Sequence, residues 1–168
     1  MENTLFPEWL DRFSSYLRMR NYSPRTIKKY EQTIQRFARY AGVRQQAGRD
    51  PFDEEELDNA PLDADVNVSS ALVTDFFSYI TERREYKPKT LHRMISTLSS
   101  FYRYLYTQGV VVANPLLGVE RPRIKNQELK YLKHSQVIRL LRSIEDRRNR
   151  LIVRLIYATG VRVSELCA

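Results

Sequence analysis

Arg25, Lys29, Gln32, Arg36 and Arg39 follow one another at steps of four, three, four and three, the spacing that sets side chains in one stripe along a helix. The pattern returns 64 residues later as Lys89, Arg93, Ser96, Ser100 and Arg103, basic most consistently at its N-terminal end. The free N–H groups of a helix's first turn, with a guanidinium, an ammonium or a threonine hydroxyl beside them, converge on phosphate. Most charged stripes are solvated helix faces and no more. Repetition at a fixed offset favours a polyanion, and DNA ahead of a membrane surface.

The elements that must carry these stripes are legible. Ser23-Pro24 is a helix start, a capping hydroxyl followed by a proline whose missing N–H is harmless in the first turn. Ile27, Tyr30, Ile34, Phe37 and Ala41 give that helix an inner face, and Gly42 is placed to end it in a left-handed conformation. A second helix runs from Pro88 to about Gln108, stopped by Gly109, with Leu91, Met94, Ile95, Leu98, Phe101, Tyr102 and Leu105 inward. The two are copies. Asn21-Tyr22-Ser23-Pro24-Arg25-Thr26-Ile27 aligns with Glu85-Tyr86-Lys87-Pro88-Lys89-Thr90-Leu91, and the match continues through Phe37/Phe101 and Tyr40/Tyr104. Two copies at this period make a pseudo-duplicated helical pair, not a solenoid.

Two more helices accompany the pair. Leu5 to Arg20 buries Trp9, Phe13 and Leu17; another starts near Ser69 or Ser70, buries Leu72, Val73, Phe76, Phe77 and Ile80, and ends near Glu85. Between Val43 and Val68 periodicity dissolves. Eight acids lie between 50 and 65 with no Lys or Arg among them, punctuated by Pro51 and Pro61, so this stretch reads as a long loop or solvated linker.

Composition excludes several classes. The 168 residues carry 28 Lys or Arg against 20 Asp or Glu, a net charge of +8, and 42% are hydrophobic, enough for a real core. No apolar run approaches the ~20 residues that span a bilayer, and no charged-then-apolar leader opens the chain. The lone Cys167 cannot close an internal disulfide, so a reducing, cytoplasmic setting is expected. One Cys and two distant histidines, His92 and His134, exclude a zinc module.

Val110 to Lys130 reads as a linker, with Asn114-Pro115, Arg121-Pro122 and the basic Arg121, Arg123, Lys125 and Lys130. A helix then carries Val137, Ile138, Leu140, Leu141 and Ile144 inward, followed by a strongly apolar one over Arg148–Thr159. Thr159-Gly160 breaks it, and Ser164-Glu165 reads as the cap and first turn of another. A chain stopping three residues later, at Ala168, is expected to be truncated.

Ala158-Thr159-Gly160-Val161-Arg162-Val163-Ser164-Glu165-Leu166 resembles the first catalytic box of the tyrosine recombinases, the phage-integrase and Xer group. Tyr22-Ser23-Pro24-Arg25-Thr26 with its repeat is similar to theirs, and Asn114 to Pro122 resembles their interdomain linker. The resemblance implies an all-α chain: a SAM-like four-helix core-binding domain over 1–112, a linker over 113–130, and the truncated start of a catalytic domain over 131–168. It implies that Arg162 is the first catalytic arginine, holding the non-bridging oxygens of the scissile phosphate, with Glu165 one turn along to orient it. It places Arg25, Thr26, Lys28, Lys29, Lys89, Thr90, His92 and Arg93 at double-stranded DNA, expected to be an inverted-repeat recombination site, with homo-oligomers assembling there in the full-length protein. The family's tyrosine nucleophile, strand lysine and His/Arg box lie well downstream of the first arginine. Tyr22, Tyr30, Tyr40, Tyr86, Tyr102 and Tyr104 belong to the helical repeat, so this chain is expected to bind DNA without cutting it. Transesterification conserves bond energy and implies neither cofactor nor metal.

The chain departs from the family pattern at Lys87, where the first copy has the capping Ser23, at Lys133, and in the length of the acidic stretch. Two other readings stand beside the recombinase. A stand-alone helical DNA-binding regulator explains the repeat but not the Arg162 box. A protein-interaction bundle would use the acidic stretch and ignore nucleic acid.

Overall fold

The computed structural model describes residues 4–83, 86–123 and 131–167. Among these residues every regular element is a helix, the one β-type contact being an isolated bridge between Leu5 and Asp65. Among the described residues no helix is long and apolar enough to cross a membrane. Two compact units, Met1–Ile124 and Lys125–Ala168, divide the chain.

The first unit is built from α1 (Phe6–Met19), α2 (Pro24–Ala47), α3 (Glu54–Asn59), α4 (Ser70–Arg83) and α5 (Pro88–Thr107). Helices α2 and α5, the two copies of the repeat, pack together with α1 against both. Their seams meet in an aromatic core. Phe37 is fully buried and touches Phe6 (ring centroids 5.9 Å apart), Phe76 (5.1 Å) and Tyr102 (6.2 Å), all near edge-on. Phe13 and Phe101 meet at 5.4 Å. Edge-to-face rings add a directional preference to the area they bury, which holds the helices in one packing arrangement. Buried tyrosines keep their hydroxyls paired: Tyr102 Oη donates to Val66 O at 3.1 Å and Tyr40 Oη to Asp50 Oδ1 at 2.5 Å. Burial pushes the Tyr102 phenol well above its ordinary range; at Tyr40 burial and the Asp50 carboxylate act together in the same direction.

Two sequence expectations for this unit are corrected. Helix α2 does not end at Gly42. It runs five residues further, and Gly48 takes the left-handed conformation at φ 68°. Gly42 is buried within the helix, where a Cβ would touch Pro61 O at 3.4 Å and Ala64 Cβ at 3.7 Å, and it makes no turn.

Nor are residues 43–68 a solvated linker. Asp53 caps α3 by accepting from the Glu56 N–H at 2.8 Å, and Leu57, Ala64 and Val66 are all buried in the core. Backbone bonds tie the strap to the start of α1, Phe6 N–H to Ala64 O at 3.0 Å and Val66 N–H to Thr4 O at 2.8 Å. The Gln45 amide brackets Asp65, donating to its carbonyl and accepting from its N–H. Three of its acids face arginines: Glu54 pairs with Arg36, Asp50 with Arg44, which also meets Asp75 of α4, and Glu56 receives two bonds from Arg49. Single apolar anchors separated by acids have no period, so hydrophobic patterning misses them.

The repeat's departure at Lys87 has a structural consequence. Ser23 Oγ accepts from the Thr26 N–H at 3.2 Å, whereas Lys87 caps α5 with no side-chain bond. Lys87→Ser is therefore expected to stabilise the unit by about 1 kcal/mol, the usual worth of a capping hydroxyl. Thermal unfolding would show a midpoint raised by a few degrees. An unchanged or lower midpoint would show that α5 gains nothing from a cap there.

Beyond α5 the chain turns back onto this unit. Gly109 (φ 74°) ends the helix, Val111 and Leu116 are buried in its core, and Asn114 reaches Ser99 O through Nδ2.

The second unit contains α6 (His134–Ser143), α7 (Arg147–Thr159) and α8 (Val163–Leu166). Of the residues expected inward on α6, Val137 is buried, Ile138, Leu141 and Ile144 are half-buried, and Leu140 is exposed. Leu151 and Leu155 of α7 are exposed too. Helices of 10, 13 and 4 residues supply no second layer among the described residues to close over these faces. Helix α7 starts on Asp146, whose carboxylate accepts from the Asn149 N–H at 2.7 Å. The predicted cap at Ser164 is also corrected: Arg162 occupies the N-cap position of α8.

Candidate nucleic-acid interface

The eight sequence-predicted contact residues fall into four repeat pairs, Arg25/Lys89, Thr26/Thr90, Lys28/His92 and Lys29/Arg93. All lie in the first two turns of α2 or α5. Arg25, Lys28, Lys29, Lys89 and Arg93 are exposed; Thr26, Thr90 and His92 are half-buried. Pro24 and Pro88 open the helices, so each first turn carries one N–H fewer than usual, and the basic side chains provide most of the attraction for an anion. None of the five exposed cations takes part in an ion pair among the described residues. Their charge is open to solvent and to a ligand.

Further along α2 the stripe is only partly available, with Gln32 exposed. Arg36 turns to Glu54 with its side chain mostly buried, and Arg39 is half-buried. On α5 Ser96 and Ser100 are half-buried, but Arg103 is exposed. Glu54 of the acidic strap thus neutralises Arg36 of one stripe, while the exposed cations at both N-terminal ends make no ion pair among the described residues.

The structure adds candidates that the sequence did not single out. Arg18, Tyr22, Ser23 and Lys28, with one carboxylate, Glu31, line a shallow groove of about 460 Å³ where α1 turns into α2. Asn21 makes that turn in the left-handed region at φ 58°, a conformation asparagine tolerates better than most residues. The Arg18-Met19-Arg20-Asn21 run was the available signal: two arginines before a residue suited to a tight turn.

In the second unit, the Ala158–Leu166 box folds as helix, glycine turn, helix. Gly160, at φ 68°, ends α7 and donates to Ile156 O at 2.8 Å. Thr159 Oγ1 donates back to Leu155 O and accepts from the Val161 N–H. The turn delivers Arg162 with its side chain 80% exposed. Glu165 grips it twice, Oε2 accepting from the Arg162 N–H and Oε1 from Nη1, both at 2.9 Å. The backbone bond and then the guanidinium bond hold the Glu165 carboxyl below its usual range. Among the described residues only Nη1 of the Arg162 side chain is engaged, leaving the rest of the guanidinium fork for an anion. His134 Nδ1 and Tyr157 Oη lie 2.7 Å apart between α6 and α7 in the same unit. Lys125 and Lys130, counted in the basic linker, lie outside the described residues, as does Glu85.

An all-helical unit with a duplicated, N-terminally basic helix pair is the architecture of a known class. Residues 9–110 match the family described as phage integrase, N-terminal SAM-like domain, and the chain belongs to that family. It is 31% identical over 173 residues to the tyrosine recombinase XerC of Caldanaerobacter subterraneus subsp. tengcongensis, covering 99% of this chain and 49% of the relative. It is also 31% identical to the XerC of Halalkalibacterium halodurans, covering 95% and 49%. The chain spans about half the length of these curated relatives. Among solved structures, a lambda integrase dimer bound to a COC′ core site aligns with a TM-score of 0.66 at 20% identity, covering 97% of this chain and 41% of that one. A lambda integrase tetramer bound to a Holliday junction aligns at 0.67 and 19%, covering 97% and 43%. At this identity the likeness is one of fold, and it bears out the all-α, SAM-like architecture.

Proposed function

We propose that this chain is the DNA-binding half of a site-specific tyrosine recombinase, an enzyme that cuts and rejoins DNA through a 3′-phosphotyrosyl intermediate. The observation that carries the proposal is the pair of exposed, uncompensated basic helix starts on α2 and α5, in a chain of this family. Residues 1–112 serve as the core-binding domain, 113–130 as a linker and 131–168 as the opening of the catalytic domain. The partner is double-stranded DNA carrying an inverted-repeat recombination site, on which the longer protein assembles as a homo-oligomer in the cytoplasm. Most contacts from Arg25, Thr26, Lys28, Lys29, Lys89, Thr90, His92 and Arg93 go to phosphate and set register; sequence is read by the few that reach base edges.

Arg162 neutralises charge developing on the scissile phosphate, and Glu165 holds it in place. A preorganised donor of this kind is worth about 10²–10³ in rate. Its exposure fits a group that meets its ligand from outside the second unit. Tyr40 and Tyr102 are buried and do not serve as nucleophile, and burial raises the phenols of Tyr30 and Tyr104 as well. The test is Arg162→Ala in the full-length protein. DNA affinity should stay within about twofold while strand cleavage falls by ~10² or more. Full cleavage activity in that variant would refute the assignment.

A further inference from the structure

A second basic groove lies on the first unit, beside the start of α2, whose Tyr22 lines both grooves, and at the opposite end of α5 from Lys89. It has a volume of about 390 Å³ and is lined by Tyr16, Arg20 and Tyr22 from the end of α1 and its turn, and by Ser100, Arg103 and Tyr104 from α5. No carboxylate is among its lining residues. Arg20 is held in position: Nη1 donates to Tyr16 Oη at 3.1 Å, and its guanidinium carbon lies 5.6 Å from the centre of the Tyr16 ring. Tyr16 is in turn packed on Tyr104 with ring centroids 4.9 Å apart. A guanidinium fixed on an aromatic face loses less freedom on meeting an anion than a free one.

Both helices end here, and a helix C-terminus ordinarily repels anions. In this groove three of the last four carbonyls of each helix are occupied. Those of Tyr16, Leu17 and Arg18 accept from the N–H groups of Arg20, Tyr22 and Asn21, and those of Tyr104, Leu105 and Tyr106 accept from Gln108, Val110 and Gly109. What the groove presents outward is two guanidinium groups and several hydroxyls.

We infer that the Arg20–Arg103 groove is a second phosphate-backbone contact, clasping the DNA strand that flanks the groove entered by the starts of α2 and α5. Arg103 belongs to the same stripe as Lys89 and Arg93, fourteen residues beyond the first of them. At 1.5 Å per residue the stripe extends roughly 21 Å. The major groove is about 12 Å wide, so a helix that meets it at Lys89 carries Arg103 past its edge to the next row of phosphates. The inference rests on the DNA-binding reading above. It adds a site not among the eight contacts that reading assigns.

The test is Arg20→Gln/Arg103→Gln, titrated into a mixed-sequence duplex of roughly 30 base pairs by fluorescence anisotropy at several salt concentrations. Each phosphate contact contributes about 0.9 to the slope of log affinity against log salt, so the double variant should bind with a slope shallower by about 1.8. Arg103→Lys, which keeps the charge, should leave the slope unchanged. Arg20 and Arg103 are exposed, so the unfolding midpoint should not move. A wild-type slope in the double variant overturns the inference and leaves the DNA-binding reading standing. If self-association on DNA is lost at that wild-type slope, the groove holds a carboxylate of a second copy instead. A wild-type chain that binds no duplex overturns both.

Discussion

Replacing Arg25, Lys29, Lys89 and Arg93 together by glutamine is expected to weaken duplex binding about a thousandfold at roughly 0.15 M salt. The figure follows from counterion release. Four lost phosphate contacts remove about 3.6 from the log–log slope, and the affinity difference at that salt is close to three orders of magnitude. Glutamine suits the exercise because it is nearly as good a helix former as arginine or lysine and keeps most of the side chain's length. All four positions are exposed and make no ion pair among the described residues, so thermal stability should hold. The loss should also be uniform across DNA sequences, because phosphate contacts carry no base information. Neutralising Arg36 is the contrasting case. It already faces Glu54, so its removal should leave DNA affinity nearly unchanged while disturbing the α3 strap.

Phe37→Ala is expected to cost about 3–5 kcal/mol, a large share of the ~5–15 kcal/mol that keeps a domain folded. Phe37 is fully buried where α1, α2, α4 and α5 meet, and its ring touches Phe6, Phe76 and Tyr102. Removing it takes away apolar burial and opens a cavity that four helices cannot jointly close. Denaturation monitored by circular dichroism should show a midpoint lower by on the order of 10–20 °C. The control is Leu117→Ala, at a side chain 84% exposed, where the change should stay within about 0.5 kcal/mol. A Phe37→Ala loss no larger than the control's would mean the aromatic cluster is not the core.

What the sequence disclosed follows from which physical signals are local. The starts of α2 and α5 were legible because Pro24 and Pro88 act within one turn, and the seams because a period of 3.6 repeats many times over 20 residues or more. The end of α2 was not legible. Glycine at 42 and at 48 looks the same in sequence, and that Pro61 and Ala64 pack beside Gly42 shows only in the fold. The strap failed for a related reason: it is held by Leu57, Ala64 and Val66, buried singly in the core, and by a few ion pairs such as Arg36–Glu54 that no local pattern announces. Of its acids, Asp50, Glu54 and Glu56 are matched to arginine.

The candidate site shows the same division. Exposure of the N-terminal basic pairs could be read from the repeat, since an inner seam fixes which face is outward. That Arg36 would be claimed by Glu54 could not, because the claimant lies 18 residues away across an irregular segment. At the Arg162 turn, Ser164 followed by Glu165 reads locally as a cap. The structure uses the other half of that device, with Glu165 reaching back to the Arg162 N–H, and no hydroxyl is needed.

The most direct measurement is a titration of the unmodified chain into a mixed-sequence duplex at several salt concentrations. Five exposed cations at the helix starts and two in the Arg20–Arg103 groove make about seven contacts, so log affinity should fall against log salt with a slope of about −6. A chain that binds duplex DNA weakly, with a slope near zero, would contradict the account at its centre.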